Sequence, residues 1–373
     1  MEQWQSTVES MVKNMENFYK GKKIFITGHT GFKGSWLSAV MLMMGAEVKG
    51  YSLEPNTEPS LFNLLNLKDK MQSVFGDILD EDKLTAEITS FKPDIVFHLA
   101  AQPLVRLSYK EPVLTLQTNV IGSANVFEAV RKTPSVKVIL NVTSDKCYEN
   151  RETNIPYKET DPMGGFDPYS ASKGMAELLA NCYRRSFFNP EEYGKTHNVA
   201  LASCRAGNVI GGGDYALDRI VPDCARALSQ NKEIVLRNPF ATRPWQHVLE
   251  PLFGYMLVAK KAYSDVKFAQ GWNFGPNPAD TRTVEDLVKK FTQIWGSGTY
   301  KVEGGKHPHE AKLLNLDITK AAKELNWHPV YAFDKAVEQT ALWYKHFYDG
   351  ENIENFTLQQ IKEYTENYNK INA

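Results

Sequence analysis

The chain is poor in the features that mark several protein classes. Its 373 residues include only four cysteines, at Cys147, Cys182, Cys204 and Cys224, and no two of them form a CxxC pair. That pattern gives no short disulfide framework, so free thiols in a reducing cytoplasm are expected. Charge of one sign is missing too. The formal net charge is −1, which leaves no global field to draw nucleic acid or an anionic membrane. No apolar run approaches the roughly 20 residues of a membrane span, and the opening MEQWQSTVESMVKNMENFYKGKK lacks the apolar core of a signal peptide. Internal repeats and low-complexity tracts are absent. With 42% hydrophobic and 23% charged residues, what remains is ordinary for a soluble globular protein. The length favours two domains over a single core.

What is present is a rhythm of strands and helices. KKIFIT reads as a short strand, GHTGFKGS as a turn and WLSAVMLMMGA as a buried helix, with EVKGYSL as the next strand. KMQSVFGDI, the helix DKLTAEITSF and the strand DIVFHLA continue the pattern, followed by the helix TNVIGSANVFEAVRK and the strand KVILNVTS. Such alternation predicts an α/β fold, a doubly wound parallel sheet covered on both faces. After about residue 205 the rhythm weakens, and RNPFATRPWQHV and FGPNPADTRT are rich in proline and polar residues. A smaller mixed α/β domain is expected there. Before the first strand, Met11, Val12, Met15 and Phe18 have near-helical spacing, which predicts a peripheral amphipathic helix in a solvated extension.

The first βα turn places Gly28, Gly31 and Gly34 between a strand and a helix. Glycines let the backbone approach a pyrophosphate closely, and the helix N-terminus offers it unpaired N–H groups, so the turn predicts a bound dinucleotide. Lys33 within the turn has two readings, a phosphate contact or a solvated side chain. Roughly 140 residues further on, Tyr169 and Lys173 of PYSASK lie four apart on a predicted helix and so share a face. An ammonium near a phenol favours the phenolate, so a lowered tyrosine pKa is expected and the phenolate can accept a hydroxyl proton. Ser144, at the end of KVILNVTS, can donate to the same hydroxyl. Asn119 either supports this site or caps its helix.

The GxxGxxG turn and the Ser144, Tyr169, Lys173 set resemble the extended short-chain dehydrogenase superfamily, whose fold is of the Rossmann type. The segments TGHTGFKGSWLS, NVTSDKCYEN, RAGNVIGGGD and RPWQHVLEPL resemble a narrower group, the nucleotide-sugar 4,6-dehydratases that act on CDP-glucose. The likeness runs from about Gly21 onward. It implies an NAD-binding domain over 21–205 plus about 247–276, a sugar-nucleotide-binding domain over 206–246 plus 277–373, and a separate extension over 1–20. It assigns the cofactor to Gly28, Gly31, Phe32, Lys33, Gly34, Asp77, Ile78, Leu99, Ala100, Ala101, Tyr169 and Lys173, with Asp77 against the adenine. Tyr51 and Ser52 stand where an acid for the ribose hydroxyls is usual, so the choice of NAD over NADP is left open. No metal is implied.

Asp145 and Lys146 follow Ser144 directly, where related dehydratases carry Asp-Glu. The implied reaction oxidises the sugar at C4 with Tyr169 as base. It then eliminates water across C5 and C6, with Asp145 as acid and Lys146 in the position of the base, and reduces C6 with the same NAD. A lysine near pKa ~10.4 can take a proton only if its pKa falls. Otherwise Lys146 stays charged and stabilises the enolate. Asn208, Arg219 and Arg243 suit a diphosphate, and Lys312 stands where related enzymes carry an arginine. Two rivals remain: a C4 epimerase, which needs no Asp-Lys pair, and a non-enzymatic dinucleotide sensor, against which the intact Tyr169 and Lys173 argue. A homodimer is expected through Val120, Ala124, Phe127 and Val130 on one helix and Ala176, Leu179, Ala180 and Tyr183 on another. A helix buried within one subunit would carry the same stripe.

Overall fold

The computed structural model describes residues 15–217, 219–303 and 314–372. β1 (Lys23–Thr27) enters the turn at Gly28, and α1 (Phe32–Met43) leaves it toward β2 (Glu47–Ser52). β3 (Gln72–Phe75), α2 (Glu81–Phe91), β4 (Ile95–His98), α3 (Gly122–Arg131) and β5 (Val138–Val142) follow, then the long α4 (Pro168–Ser186) and β6 (Ala200–Ala206). The remaining principal elements are α5 (Ile220–Ser229), α6 (Leu249–Ser264), β7 (Gly271–Phe274), α7 (Val284–Trp295), α8 (Phe333–Tyr348) and α9 (Ile353–Ile371). Seven strands form one parallel sheet in the order β7-β6-β5-β4-β1-β2-β3. β4, β5 and β6 are buried along their whole length. Their near-continuous apolar sequences suit strands with helices on both faces. The order reverses at β1, and the carboxyl ends of β1 and β4 open the crevice in which such sheets bind ligands.

The stretch beyond residue 205 returns to this sheet once. β7 pairs with β6 from Gly271↔Ser203 to Phe274↔Ala206, and four residues among proline-rich loops give little periodicity to read. Among the described residues, three two-stranded pairs lie outside the main sheet, including Ile234–Leu236 with Tyr300–Val302 and Thr242–Arg243 with Arg282–Thr283. The described part of the N-terminal segment departs from the solvated helix expected. Met15 and Tyr19 belong to the main core, and the Tyr19 hydroxyl donates to the Met256 carbonyl at 2.7 Å. The face that matters is the pair four apart, Met15 and Tyr19, packed under α6. Met11 and Val12 lie outside the described residues.

The apolar stripes on α3 and α4 turn inward. Phe127, Val130 and Ala180 belong to the core beside β4 and β5, and Ala176 is buried as well. The exposed apolar side chains near these helices are different ones: Val113, Leu114, Ile121, Met175 and Leu178. Periodicity identifies an apolar face without saying which body covers it.

One buried acid ties the C-terminal segments to α6. The Glu250 carboxylate accepts from Val330 N at 2.9 Å and Tyr331 N at 2.6 Å, and burial pushes its pKa up to about 7 against those hydrogen bonds. A carboxyl raised on folding binds protons more readily in the native state, so it stabilises below its unfolded value and that stability is lost as pH rises through about 7. Glu250→Gln should remove this dependence. Thermal unfolding at pH values on either side of the window should show the wild type losing more stability toward alkali than the variant. Parallel profiles would contradict the assignment.

Candidate active site

The glycine turn is held by close backbone packing. Gly28 has φ +77°, and a Cβ there would lie 2.7 Å from Ala100 N. A Cβ on Gly34 would lie 2.0 Å from the Gly28 carbonyl oxygen, so this residue lets α1 press against the turn. Gly31 differs. Its backbone is extended and caps α1 without a side-chain bond, and a Cβ would meet only the Gly28 oxygen, at 3.4 Å. Nothing in the protein requires glycine at this position. The bare N–H groups of the first helical turn and the open approach over Gly31 fit a pyrophosphate.

The other residues assigned to the cofactor flank this turn. Leu99, Ala100 and Ala101 are half-buried after β4, and Ala100 N donates to Thr27 Oγ1 at 3.2 Å. Asp77 lies beyond β3. Its Oδ1 accepts from Leu79 N and its carbonyl from the Tyr51 hydroxyl, each at 2.9 Å. The Ile78 side chain turns into the core, where it would meet a Cβ on Gly122 at 2.5 Å. At the end of β2, where an acid was looked for, the Ser52 hydroxyl bonds Thr30 Oγ1 at 2.7 Å. Phe32 is half-buried, with its ring beside Gly211.

Tyr169 and Lys173 stand on the first turns of α4, which begins with Pro168 after an Asp167 cap. Both are buried. Burial pushes the Tyr169 phenol up to about 12, against a hydrogen bond from Ser144 that favours the phenolate. The lowered phenol expected from the lysine spacing is therefore not found, because desolvation outweighs it. Burial also pulls Lys173 down to about 8. Asn119 caps nothing. It accepts from Gln102 N and donates to Ser172 Oγ, both at 2.8 Å, which steadies α4 between Tyr169 and Lys173.

After β5 the chain makes one tight turn over Asp145–Cys147. Ser144 Oγ donates to Asp145 Oδ1 at 2.9 Å. The other oxygen, Oδ2, is buried without a hydrogen-bond partner among the described residues and lies where a Cβ on Gly207 would come within 1.8 Å. Lys146 is half-buried, with its N–H on Ser144 Oγ at 3.3 Å. Asp145 lines a cleft that also includes Pro156, Gly207, Pro244, Gln246, Phe274 and Asn315. Asn208, with φ +46°, carries the chain past this cleft. Lys33 is half-buried, and its ammonium is pulled down to about 8 by burial and by the charges of Arg219 and Lys173. The turn lysine thus lies near Arg219, Lys173, Asp145 and Asp214.

Arg219 is fixed by Asp214 at 2.6 Å, a partner that spacing alone does not single out. Arg243 Nη1 donates to the Thr242 carbonyl at 2.9 Å. Lys312 lies outside the described residues. Gly207 also escaped the reading, although the RAGNV motif that contains it did not. Among the described residues no group of three or more His, Cys, Asp or Glu is placed to hold a metal ion, and no helix is long and apolar enough to cross a membrane.

A family model described as GDP-mannose 4,6 dehydratase matches residues 25–340. The chain belongs to the sugar-nucleotide 4,6-dehydratase family. It is 51% identical over 351 residues to the CDP-glucose 4,6-dehydratase of Salmonella typhimurium, covering 94% of this chain and 98% of that one. The UDP-glucose 4-epimerase of Mycolicibacterium smegmatis is 26% identical, covering 87% of this chain. The fold matches dTDP-glucose 4,6-dehydratase from Bacillus anthracis in complex with NAD, with a TM-score of 0.72 and 21% identity over 87% of this chain and 97% of that one. UDP-glucose 4-epimerase from Thermotoga maritima matches with a TM-score of 0.74 and 21% identity, over 87% of this chain and 99% of that one. The Rossmann-type sheet is therefore shared by dehydratases and epimerases.

Gly31 and Gly34 separate binding from folding. Gly31→Ala should keep the thermal midpoint nearly unchanged while weakening NAD binding at least about tenfold, because the methyl enters only the ligand's space. Gly34→Ala should lose both, since overpacking against backbone typically costs about 1–3 kcal/mol. Calorimetric NAD titration with parallel thermal unfolding checks this. Unimpaired binding by Gly31→Ala would contradict it.

Proposed function

We propose that this protein is a CDP-glucose 4,6-dehydratase, converting CDP-D-glucose to CDP-4-dehydro-6-deoxy-D-glucose and water, an early step of deoxysugar biosynthesis. The observation that carries the reading is Asp145, a buried carboxyl group on the cleft wall with one oxygen lacking a hydrogen-bond partner among the described residues, one residue after Ser144. An epimerase needs no acid there. The 51% identity to the Salmonella enzyme over nearly the whole chain supports the choice of substrate.

Bound NAD supplies a reversible two-electron oxidation, used at C4 and reversed at C6. The glycine turn with Phe32 holds its pyrophosphate, and Asp77, Leu99, Ala100 and Ala101 border the remainder. Ser144 and Tyr169 grip the C4 hydroxyl, and Tyr169 takes its proton as the phenolate, the form that burial disfavours and the Lys173 ammonium favours. The C4 ketone acidifies the C5 hydrogen. Lys146 removes that proton or, if it stays charged, stabilises the enolate. Asp145 gives a proton to the C6 hydroxyl, which leaves as water. Arg219 and Arg243 neutralise the diphosphate of the sugar nucleotide and Asn208 donates a hydrogen bond to it, with Lys312 as a further candidate; Lys33 in the glycine turn is assigned to the cofactor. The sugar-nucleotide lobe is drawn from 206–246 with 277–373 and the cofactor lobe from 21–205 with 247–276.

The four cysteines are free thiols, which supports a reducing cytoplasm; recovery with a soluble cytoplasmic marker on cell fractionation checks it. A homodimer is proposed through the exposed face of Val113, Leu114, Ile121, Met175 and Leu178. Leu178→Glu should shift sedimentation toward monomer, and a wild type that sediments as a monomer at micromolar concentration would rule the dimer out.

Turnover of CDP-, dTDP-, GDP- and UDP-glucose, with products identified by NMR, tests the function. Only CDP-glucose should give the 4-keto-6-deoxy product at a high rate. Tyr169→Phe should slow single-turnover reduction of the nicotinamide by on the order of a thousandfold. Asp145→Asn should still oxidise C4 and exchange C5 hydrogen with deuterated solvent, yet release little product. Lys146→Ala should oxidise C4 without that exchange. Normal product formation by Asp145→Asn, or exchange at the wild-type rate in Lys146→Ala, would remove the corresponding role.

A further inference from the structure

Beneath the catalytic residues lies an ion pair that the reaction scheme does not use. Glu177 falls one helical turn after Lys173 on α4, and its Oε2 meets Arg205 Nη2 of β6 at 2.8 Å, with both side chains buried. Removing two charges from water is costly, and apolar residues of similar size often hold a fold as well as such a pair does. Stability alone does not call for it here.

Its contacts suggest another use. Glu177 Oε1 accepts from the Thr143 hydroxyl at 2.5 Å, and Thr143 immediately precedes Ser144. Arg205 Nη1 donates to the Tyr148 hydroxyl at 2.6 Å, with the guanidinium 5.1 Å from the centre of that ring. The single pair therefore grips both ends of the turn that carries Ser144, Asp145 and Lys146. The Tyr148 hydroxyl donates in turn to Asn273 Oδ1 at 2.7 Å, and Asn273 Nδ2 donates to the Tyr157 carbonyl at 2.9 Å and the Asp317 carbonyl at 3.2 Å. These residues border Pro156 and Leu316 of the cleft.

We propose that Glu177 and Arg205 are positioning residues: together they clamp the Ser144–Cys147 turn, and Glu177 sets the charge of Lys173 from one helical turn below. This rests on the dehydratase reading for the roles of Lys173 and the turn. The sign follows from the groups around Lys173. Burial pulls its ammonium down, and the negative charges of Glu177 and of Cys147, when ionised, oppose that fall. His98 from β4 and Lys33 from α1 face the same ammonium. Glu177 itself faces Arg205, Thr143, Arg184, Cys147 and Cys204. Removing its charge leaves Arg205 uncompensated nearby, so both changes push the Lys173 pKa lower.

Two variants test this. Glu177→Gln keeps the shape and the acceptor for Thr143 but not the charge, while Glu177→Leu with Arg205→Met removes the pair together. NMR of lysine labelled with ¹⁵N, with the resonance assigned through Lys173→Arg, follows the titration with no substrate present. Failure of the proposed function and failure of the clamp therefore remain distinguishable. The Lys173 midpoint should fall by about one unit in Glu177→Gln, and the alkaline limb of single-turnover C4 oxidation should move with it. That means about fivefold less rate at pH 8, with KM changed less than about twofold. The double variant should fold, yet lose kcat and slow C5 exchange. An unchanged Lys173 titration in Glu177→Gln, or wild-type kcat in the double variant, would overturn the proposal. So would failure of both variants to fold, because the pair would then serve the fold alone.

Discussion

Tyr169 and Lys173 sit one turn apart on α4 with little water around either, and that desolvation conditions the groups near them. Burial is the largest influence on both, raising the phenol and lowering the ammonium. A site arranged this way needs fixed charges close by to hold its protonation states, because water cannot do so. Glu177, Arg205, Lys33 and Arg219 are such charges, and they come from four separate parts of the chain. The parallel sheet brings them together by ending β1, β4, β5 and β6 at one edge.

Glycine does for the backbone what these charges do for the side chains. Gly28 and Gly34 allow α1 to begin against the end of β4, and Gly207 leaves the room that Asp145 occupies. The turn that binds the dinucleotide and the wall that holds the acid are thus set by close approaches no larger residue permits.

Much of this was legible in the sequence. KIFIT, IVFH and VILNV are continuous apolar strands, and the glycine turn and the Tyr169–Lys173 spacing marked the crevice between them. Asp145 and Lys146 were found because they follow Ser144 directly. Other features depended on contacts that spacing does not encode. Tyr19 is tied to a carbonyl 237 residues away, and β7 is four residues long among prolines. The stripe of Phe127 and Ala180 was visible, but not that its own sheet covers it. The raised Tyr169 phenol could not be read, since burial leaves no mark in a four-residue spacing. Glu177 sits at the right interval from Lys173, yet that interval has meaning only once β6 delivers Arg205.

In the proposed reaction one site oxidises C4, eliminates water and reduces C6 on the same sugar without outside reductant. CDP-glucose carrying deuterium at C4 tests it most directly, with the product analysed by NMR and mass spectrometry. The C4 deuterium should be recovered at C6 of the 4-keto-6-deoxy product, within one molecule, while C5 takes hydrogen from solvent. Deuterium retained at C4, or a product with none at C6, would contradict it.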